Sequence, residues 1–511
     1  MLVAEPLPGH GDDTDPELGA VVHDSRRVRP GDLFVARPGR RTDGHEHAPA
    51  AVKAGAVALL VERPHPNVAV PQLVVRDAAA ALGVAAAWRV GDPSRRLGVV
   101  GITGTDGKTT TAYLTRTVLE AAGHRVGLIG TTDVIAGGRS LGNEARASTP
   151  EAPELQGFLA AMLAAGDDWA VVESTSHGLA QQRVSGIAYD VAVLTNITSE
   201  HLELHGTVEA YRQAKRSLFA RLVVSDENPE KGHGKHAVVN SDDPQAEAFA
   251  RTALEAGARV VRYGLAGRLG SAPGAASDGG LDVAAIDVTE EPGRMVVAMR
   301  SGGWTGQVGL RLAGRFNVHN ALAAMGVAVA LGHDLDAAAR ALGRLASVPG
   351  RMERIDEGQP FSVIVDYAHT AEALATVLDE LAPVGGAGLI AVFGSAGERD
   401  TSKRAEMGRV AGERCRLVVV TDEDPRGEDR MAIIEAIAEG AEAAGKRRGN
   451  DLLLVPDRRE AIAAAISRAR QGDVVLLAGK GHERTIETAD GEMPWDEAGA
   501  ARDAVRLLAG R

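Results

Sequence analysis

At 511 residues the chain has room for about three domains of ~150 residues each. Its 56 basic and 69 acidic side chains leave a net charge of -13 with no basic run, which argues against a nucleic-acid partner. The single cysteine, Cys415, excludes an intramolecular disulfide and a cysteine-built zinc site, and reads as a small buried apolar residue.

Aromatic residues make up only 3% of the chain, so its cores are expected to be aliphatic. Met1 to Glu17 carries five acidic residues, four of them by Asp15, and no cationic lead into an apolar stretch. No apolar run approaches ~18 residues. These features predict a soluble, cytoplasmic protein without membrane insertion.

In chain order, the section up to about Leu97 holds short apolar pieces at Asp32 to Ala36, Val57 to Val61 and Gln72 to Val75 between proline and glycine turns. It reads as a small α/β module, residues 1–97. A second module, residues 98–346, opens with a buried strand through Leu97, Val99, Val100 and Ile102. A helix follows, with Leu114, Val118, Ala121 and Ala122 at helical spacing until Gly123.

Between that strand and that helix lies Gly101 to Thr111, reading Gly-Ile-Thr-Gly-Thr-Asp-Gly-Lys-Thr-Thr-Thr. The order strand, glycine-rich turn, helix makes it a phosphate cradle. Gly104 and Gly107 let backbone N–H groups turn toward an anion, Lys108 supplies a point charge, and the Thr109 hydroxyl suits a magnesium shell. The usual Walker spacing puts its first glycine where Ile102 stands, so the loop is a variant, and a nucleoside triphosphate is its expected ligand. The chain has no Asn-Lys-x-Asp segment for reading guanine, which favours adenine.

Further strands are predicted at Ala170 to Val172, Val191 to Leu194 and Val238 to Val239. They end at Glu173, at Thr195 and Asn196, and at Asn240, where a parallel sheet presents ligands. Gly264 to Gly280 lacks periodicity and reads as a loop. A third module, residues 347–511, repeats the alternation. Its strands Val363 to Val365, Leu389 to Phe393, Leu417 to Val420 and Val474 to Ala478 end at Asp366, Gly394, Thr421 and Gly479. The fold class is therefore α/β in three domains, the last two with parallel sheets.

Glu173 to Gly178 and Asn196 to His201 place a carboxylate and an imidazole at neighbouring strand ends. By residue type alone, His201 reads equally as a hydrogen-bonding structural histidine, and Lys215 reads as a solvated helix lysine.

These segments, together with Gly314 to Asn320, Pro349 to Glu353 and Asp366 to Thr370, strongly resemble the Mur ligase family. Asp24 to Arg26, Gly31 to Val35, Asp422 to Arg426 and Gly479 to Glu483 resemble the branch that adds the third amino acid of the peptidoglycan stem peptide. The resemblance runs from about Asp24 to the last helix. It implies an N-terminal uridine-nucleotide domain, a central P-loop-type ATPase domain and a C-terminal Rossmann-like domain that binds the amino acid.

The implied reaction is an ATP-dependent amide ligation through an acyl phosphate, with UDP-MurNAc-L-Ala-D-Glu and a diamino acid as small-molecule substrates and a monomer as the expected state. By resemblance, Gly104, Thr105, Asp106, Gly107, Lys108, Thr109 and Thr110 hold the ATP phosphates. Asn317 and Asn320 reach the adenine side, and Arg351 and Asp366 clamp phosphate and ribose when the domains close. Thr109, Glu173, His201 and Lys215 would hold Mg2+, with Lys215 carbamoylated to N6-carboxylysine.

Ser25, Ser148, Thr149, Ser176 and Arg183 are implied contacts of the UDP-MurNAc-peptide. Arg399, Asp424, Arg426, Gly479 and Glu483 are implied contacts of the incoming amino acid. Relatives that use meso-diaminopimelate carry Asn where this chain has Asp424, so meso-diaminopimelate, ornithine and lysine all stay open. Asp106 stands where Asn is common, and Ala371 where Pro is common. The alternatives are a folylpolyglutamate synthetase-like ligase, which lacks the opening Asp-Ser-Arg segment, and an ATP-dependent switch protein without catalysis.

Overall fold

The computed structural model describes residues 5–6, 18–39, 42–142, 147–198, 202–223, 228–267, 280–291, 294–382 and 387–510. The chain divides into two compact units. One runs up to Val288 and includes Val297–Val308 and Val318–Leu342; the other runs from Gly343 on and includes Thr289–Val296 and Gly309–Asn317.

The first unit opens with a five-stranded sheet. Its strands are β1 (Glu5–Pro6), β2 (Val21–Val22), β3 (Leu33–Val35), β4 (Ala58–Val61) and β5 (Gln72–Val74), in the order β1-β5-β4-β3-β2. Helices α1 (Ala48–Lys53) and α2 (Ala78–Arg89) accompany it. All pairs but β1 with β5 are parallel, so both faces need apolar cover. Val35 and Leu60 pack with Ala81 and Leu82 on one face, while Phe34 and Leu59 pack with Ala48 and Ala51 on the other.

The central sheet begins with β6 (Gly98–Thr103), followed by α3 (Lys108–Ala121), β7 (Val126–Ile129), β8 (Val134–Ala136), β9 (Arg139–Ser140) and α4 (Ala152–Ala164). It continues through β10 (Trp169–Glu173), α5 (Ser176–Ala180), β11 (Val191–Leu194), α6 (Leu202–His205), α7 (Val208–Ala220), β12 (His236–Asn240), α8 (Ala246–Glu255) and β13 (Arg259–Leu265). The long strands β14 (Val283–Glu291), β15 (Arg294–Ser301) and β16 (Trp304–Leu310) extend its edge, and α9 (Asn317–Leu331) and α10 (Leu335–Leu342) follow. The order is β16-β15-β14-β13-β12-β11-β6-β10-β7-β8-β9.

β6 lies between β10 and β11, parallel to both and buried along its length, as its near-continuous apolar run requires. The chain leaves β6 toward β7 on one side, and β11 stands on the other. The loops after β6, β10 and β11 therefore converge at a switch point, where open α/β sheets bind ligands.

The second unit holds β17 (Glu353–Ile355), β18 (Ser362–Val365), α11 (Ala371–Glu380), β19 (Leu389–Phe393), α12 (Lys403–Arg414), β20 (Leu417–Val420) and α13 (Arg430–Ala443). Then come β21 (Leu452–Leu454), α14 (Arg458–Ile466), β22 (Val474–Leu477), the hairpin β23 (Thr485–Thr488) and β24 (Gly491–Pro494), and α15 (Glu497–Ala509). The sheet order is β17-β18-β22-β19-β20-β21, parallel except where β17 meets β18. Apolar clusters cover both faces, each large side chain contributing about 1.5–3 kcal/mol of burial.

The strands expected from apolar runs are present within a residue or two. The reading of Gly264 to Gly280 as loop needs correction at its start, because Gly264 and Leu265 finish β13; residues 268–279 lie outside the described part. Among the described residues, no helix is long and apolar enough to cross a membrane.

Candidate active site

The glycine-rich turn after β6 is shaped by two close approaches. Gly104 has φ +153°, and a Cβ there would collide with the Thr195 hydroxyl. Gly107 has φ +77° and abuts the Asn320 side-chain oxygen, so both positions need a residue without a side chain.

The loop is braced from the end of β11. Thr105 N–H donates to the Asn196 carbonyl at 2.7 Å, Asp106 N–H donates to Asn196 Oδ1 at 2.9 Å, and the Thr195 hydroxyl donates to the Asp106 carbonyl at 2.6 Å. Asp106 thus contributes its backbone to the brace while its carboxylate faces solvent. This accounts for tolerance of Asp at that position.

Lys108 opens α3, and its Nζ donates to the carbonyls of Gly104 at 3.0 Å and Thr105 at 2.6 Å. The first turn of α3 aims its N–H groups and positive dipole end at the same loop. Within that turn Thr109, Thr110 and Thr111 are buried, and Thr111 Oγ1 donates to Asn320 Oδ1 at 3.1 Å. Asn320 therefore lies against the phosphate loop.

Glu173 ends β10 with no exposed surface, and hydroxyl groups surround its carboxylate. Oε2 accepts from Thr109 Oγ1 at 3.1 Å and from Thr131 Oγ1 at 2.9 Å, while Oε1 accepts from Thr131 N–H at 2.9 Å. Thr131 Oγ1 also lies 2.7 Å from Ser148 Oγ. A continuous chain, Thr109 to Glu173 to Thr131 to Ser148, thus joins the phosphate loop to the next segment. Its donor set is oxygen only, which suits a hard divalent cation. Among the described residues no three His, Cys, Asp or Glu side chains gather as a metal site. His201 lies outside the described residues.

Beyond Ser148, Thr149 Oγ1 donates to the Glu173 carbonyl at 2.8 Å and receives Thr175 N–H at 3.0 Å. Thr175 caps α5, whose first residue is the buried Ser176. Arg183 Nη1 donates to the Thr149 carbonyl at 2.8 Å, and its Nη2 pairs with Glu151 at 2.9 Å. Glu151 also pairs with Arg37 at 3.0 Å and stands 3.9 Å from His23. Burial and the Arg37 charge hold His23 below the usual imidazole range. Near it, Asp24 takes Arg26 with both oxygens, at 2.9 and 2.8 Å, and caps the short turn that starts at Ser25. That hydrogen-bonded guanidinium pulls the Asp24 carboxyl down to about 2.

α7 carries Tyr211, Lys215, Leu218 and Phe219 on its buried face, a helical spacing that points all four at the sheet. Lys215 Nζ donates to the Gly104 carbonyl at 2.5 Å and sits 4.5 Å from the centre of the Tyr211 ring. Tyr211 OH meets Thr105 Oγ1 at 2.8 Å. Lys215 is therefore a buried neighbour of the phosphate loop, which corrects its residue-type reading as a solvated helix lysine.

In the second unit, the candidates gather at the strand ends. Asp366 accepts Met352 N–H and Ala368 N–H, both at 2.8 Å, and burial pushes its carboxyl up. Beside it, Arg351 stacks 4.9 Å from the centre of the Tyr367 ring. Asn317 donates to the Ala313 carbonyl at 2.6 Å and closes the turn into α9. Lys480, next to Gly479, has no exposed surface and donates to Asp424 at 2.8 Å and to Glu483 at 2.5 Å. Arg426 pairs with Glu487 at 2.8 Å. Arg399 lies exposed on the loop after β19.

Residue-type reasoning missed Thr131, Glu151, Tyr211, Lys480 and Glu487. Gly130 after the apolar run Val126–Ile129 was a usable sign that Thr131 lies just past a strand end. Glu151, Tyr211 and Glu487 carry no local signal, because their hydrogen-bond and ion-pair partners Arg183, Thr105 and Arg426 are distant in sequence, and Lys480 is tied to distant Asp424 as well as to nearby Glu483.

Family models match in chain order. Residues 17–89 match the Mur ligase family, catalytic domain; 102–328 match the Mur ligase middle domain; and 350–481 match the Mur ligase, glutamate ligase domain. The chain is 47% identical over 506 residues to the UDP-N-acetylmuramyl-tripeptide synthetase of Roseiflexus sp. (strain RS-1), covering 98% of this chain and 97% of that one. It is 38% identical over 492 residues to the UDP-N-acetylmuramoyl-L-alanyl-D-glutamate--2,6-diaminopimelate ligase of Geobacillus thermodenitrificans (strain NG80-2), covering 96% of each. A solved structure of another such 2,6-diaminopimelate ligase superposes with a TM-score of 0.67 at 30% identity, covering 98% of both chains. A phosphate loop braced by the neighbouring strand end, a buried carboxylate beside it and these full-length matches have one explanation: this chain belongs to the Mur ligase family.

Proposed function

We propose that the chain is an ATP-dependent peptide ligase that joins a diamino acid to the D-glutamyl carboxylate of UDP-MurNAc-L-Ala-D-Glu, the third-residue step of peptidoglycan stem-peptide assembly. The observation that carries this reading is the unbroken run from Lys108 and Thr109 through Glu173 and Thr131 to Ser148, Thr149 and Arg183. It puts a phosphate cradle next to a cationic, hydroxyl-lined path suited to an anionic peptide.

A free carboxylate resists attack by an amine because its leaving group would be oxide. In the proposed first step a carboxylate oxygen attacks the γ-phosphorus of ATP, and ADP departs to leave an acyl phosphate. The amine then attacks the acyl carbon, the tetrahedral oxyanion collapses, phosphate leaves, and the amine gives up a proton to form the amide. Negative charge grows on phosphoryl and carbonyl oxygens at both stages.

Lys108 and the loop N–H groups meet that charge on the phosphates. Arg183, held by Thr149 and Glu151, orients the peptide, and Ser25 and Ser176 line the path of the uridine-linked donor. Arg351 and Asp366 serve the nucleotide; Arg399, Gly479 and Glu483 serve the amino acid. Thr109 and Glu173 would supply oxygen ligands for Mg2+, and by resemblance Lys215 as a carbamate and His201 would join them. When bound, Mg2+ neutralises charge on the transferring phosphoryl group.

A phosphate-release assay with ATP, UDP-MurNAc-L-Ala-D-Glu and a panel of lysine, ornithine and meso-diaminopimelate tests the proposal. Release that requires both the uridine-linked dipeptide and one of these amino acids is expected. ATP binding without release under any combination would leave a switch protein as the better account.

A further inference from the structure

The acceptor end of the second unit is unusual in how its charges are matched. Arg426 is held twice by β23: its backbone N–H donates to the Glu487 carbonyl at 2.9 Å, and its guanidinium pairs with the Glu487 carboxylate at 2.8 Å. Its φ of +54° places it in the left-handed region, so the pairing fixes a residue already in an uncommon backbone conformation. Glu487 N–H in turn donates to Asp424 Oδ1 at 2.8 Å, the oxygen that also receives Lys480.

The neighbouring cations are likewise committed. Lys480 serves Asp424 and Glu483, Arg458 pairs with Glu497 at 2.6 Å, and Lys403 donates to the His369 carbonyl at 2.7 Å. Arg399, exposed two residues beyond Gly397, enters no ion pair among the described residues. Gly397 itself donates to the Asp424 carbonyl at 2.8 Å and lies within 3.4 Å of the Arg426 guanidinium, which places this loop beside the same cluster.

One carboxylate oxygen is left over. Glu423 Oε2 is buried with no hydrogen-bond partner among the described residues, and it lies 2.9 Å from where a Cβ on residue 479 would stand. A buried acceptor of this kind costs free energy until a donor reaches it. The charge pattern thus offers one open cation for a carboxylate and one unfilled carboxylate oxygen for an ammonium. A second ligand carboxylate would have to displace Glu487 from Arg426 while facing Asp424.

Building on the ligase reading above, we propose that Glu487 is a specificity-determining residue: by occupying Arg426, it selects an acceptor with a single carboxylate and a distal ammonium and rejects one with a second, distal carboxylate. The test measures kcat/KM for lysine, ornithine and meso-diaminopimelate in the full-length enzyme and in Glu487→Gln, with ATP and UDP-MurNAc-L-Ala-D-Glu supplied. The wild-type enzyme is expected to favour lysine or ornithine by at least about tenfold, the low end of what leaving one buried polar group unpaired costs. Glu487→Gln is expected to shift the ratio toward meso-diaminopimelate by a similar factor, carried mainly by KM.

A wild-type preference for meso-diaminopimelate overturns the proposal whatever the variant does, so it stays testable if the variant fails to fold. An unchanged ratio in a folded variant overturns it too. Turnover with none of the three amino acids removes the ligase reading itself, a different result from turnover led by meso-diaminopimelate.

Discussion

Lys215, on α7, donates its Nζ proton to the carbonyl of Gly104 at 2.5 Å, tying a helix that follows β11 to the first turn of the phosphate loop after β6. A carbamate at this position keeps one N–H on Nζ and adds carboxylate oxygens beyond it, changing the group from a cation to an anion next to the loop. Lys215→Ala is therefore expected to lose most turnover, and short-chain carboxylates added to the assay are expected to restore part of it. Full activity in the variant would remove the carbamate from the mechanism.

Glu173 is held by Thr131 and Thr109 with no exposed surface. Glu173→Gln keeps the shape and removes the charge that a cation would need. A fall of about 10²- to 10³-fold in kcat is expected, the range seen when one charge-stabilising group is lost. Steady-state phosphate release across a magnesium titration checks it, and a variant with normal kcat would take Glu173 out of the chemistry.

The packing of β6 makes a separate forecast about stability. A Cβ at Gly101 would stand 2.6 Å from the Tyr189 ring and 2.9 Å from Leu218, both buried with no room to yield. Gly101→Ala should cost about 1–3 kcal/mol through overpacking. Urea denaturation would show it as a lower midpoint with an unchanged slope.

His124, Trp169, His233 and His333 pack ring on ring in the first unit: His124 lies 5.3 Å from His333, and His233 lies 4.6 Å from Trp169. Burial holds His233 and His333 below the usual imidazole range, Asp190 opposing the shift at His233 and Lys231 and Lys235 adding to it. The unfolded chain then binds more protons than the native one below pH ~6.5, so this contribution is complete above that pH and is lost as pH falls. Urea midpoints at pH 7.5 and 5.5 should differ more in the native sequence than in His333→Gln.

Burial also pushes the Cys415 thiol up to about 12. Almost no thiolate exists at pH 8, so an aromatic disulfide reagent should modify the protein only as fast as it unfolds. Rapid stoichiometric labelling of folded protein would contradict the buried placement.

The candidate site was only partly visible along the chain. Lys108 and Thr109 could be placed because they follow a glycine-rich turn between an apolar strand and a helix, and Glu173 because it ends an apolar run, where parallel strands deliver their ligands. Thr131 escaped because the short strand before it was not recognised. The β14 to β16 extension escaped because its half-exposed strands, β15 and β16 alternating and β14 buried only at its start, lack the continuous apolar signature of the central strands. Lys215 could be argued from resemblance alone, since nothing local distinguishes it from a surface lysine.

From its sequence alone this protein's α/β class, its phosphate loop and its family were determined, because apolar periodicity and glycine placement are local and survive without knowledge of partners. Which charges are matched was decided only in three dimensions. The pairings Arg426 with Glu487, Lys480 with Asp424, and Arg183 with Glu151 join residues far apart in the chain. Coulomb energy depends on separation in space and on burial, and neither can be read from position along the chain.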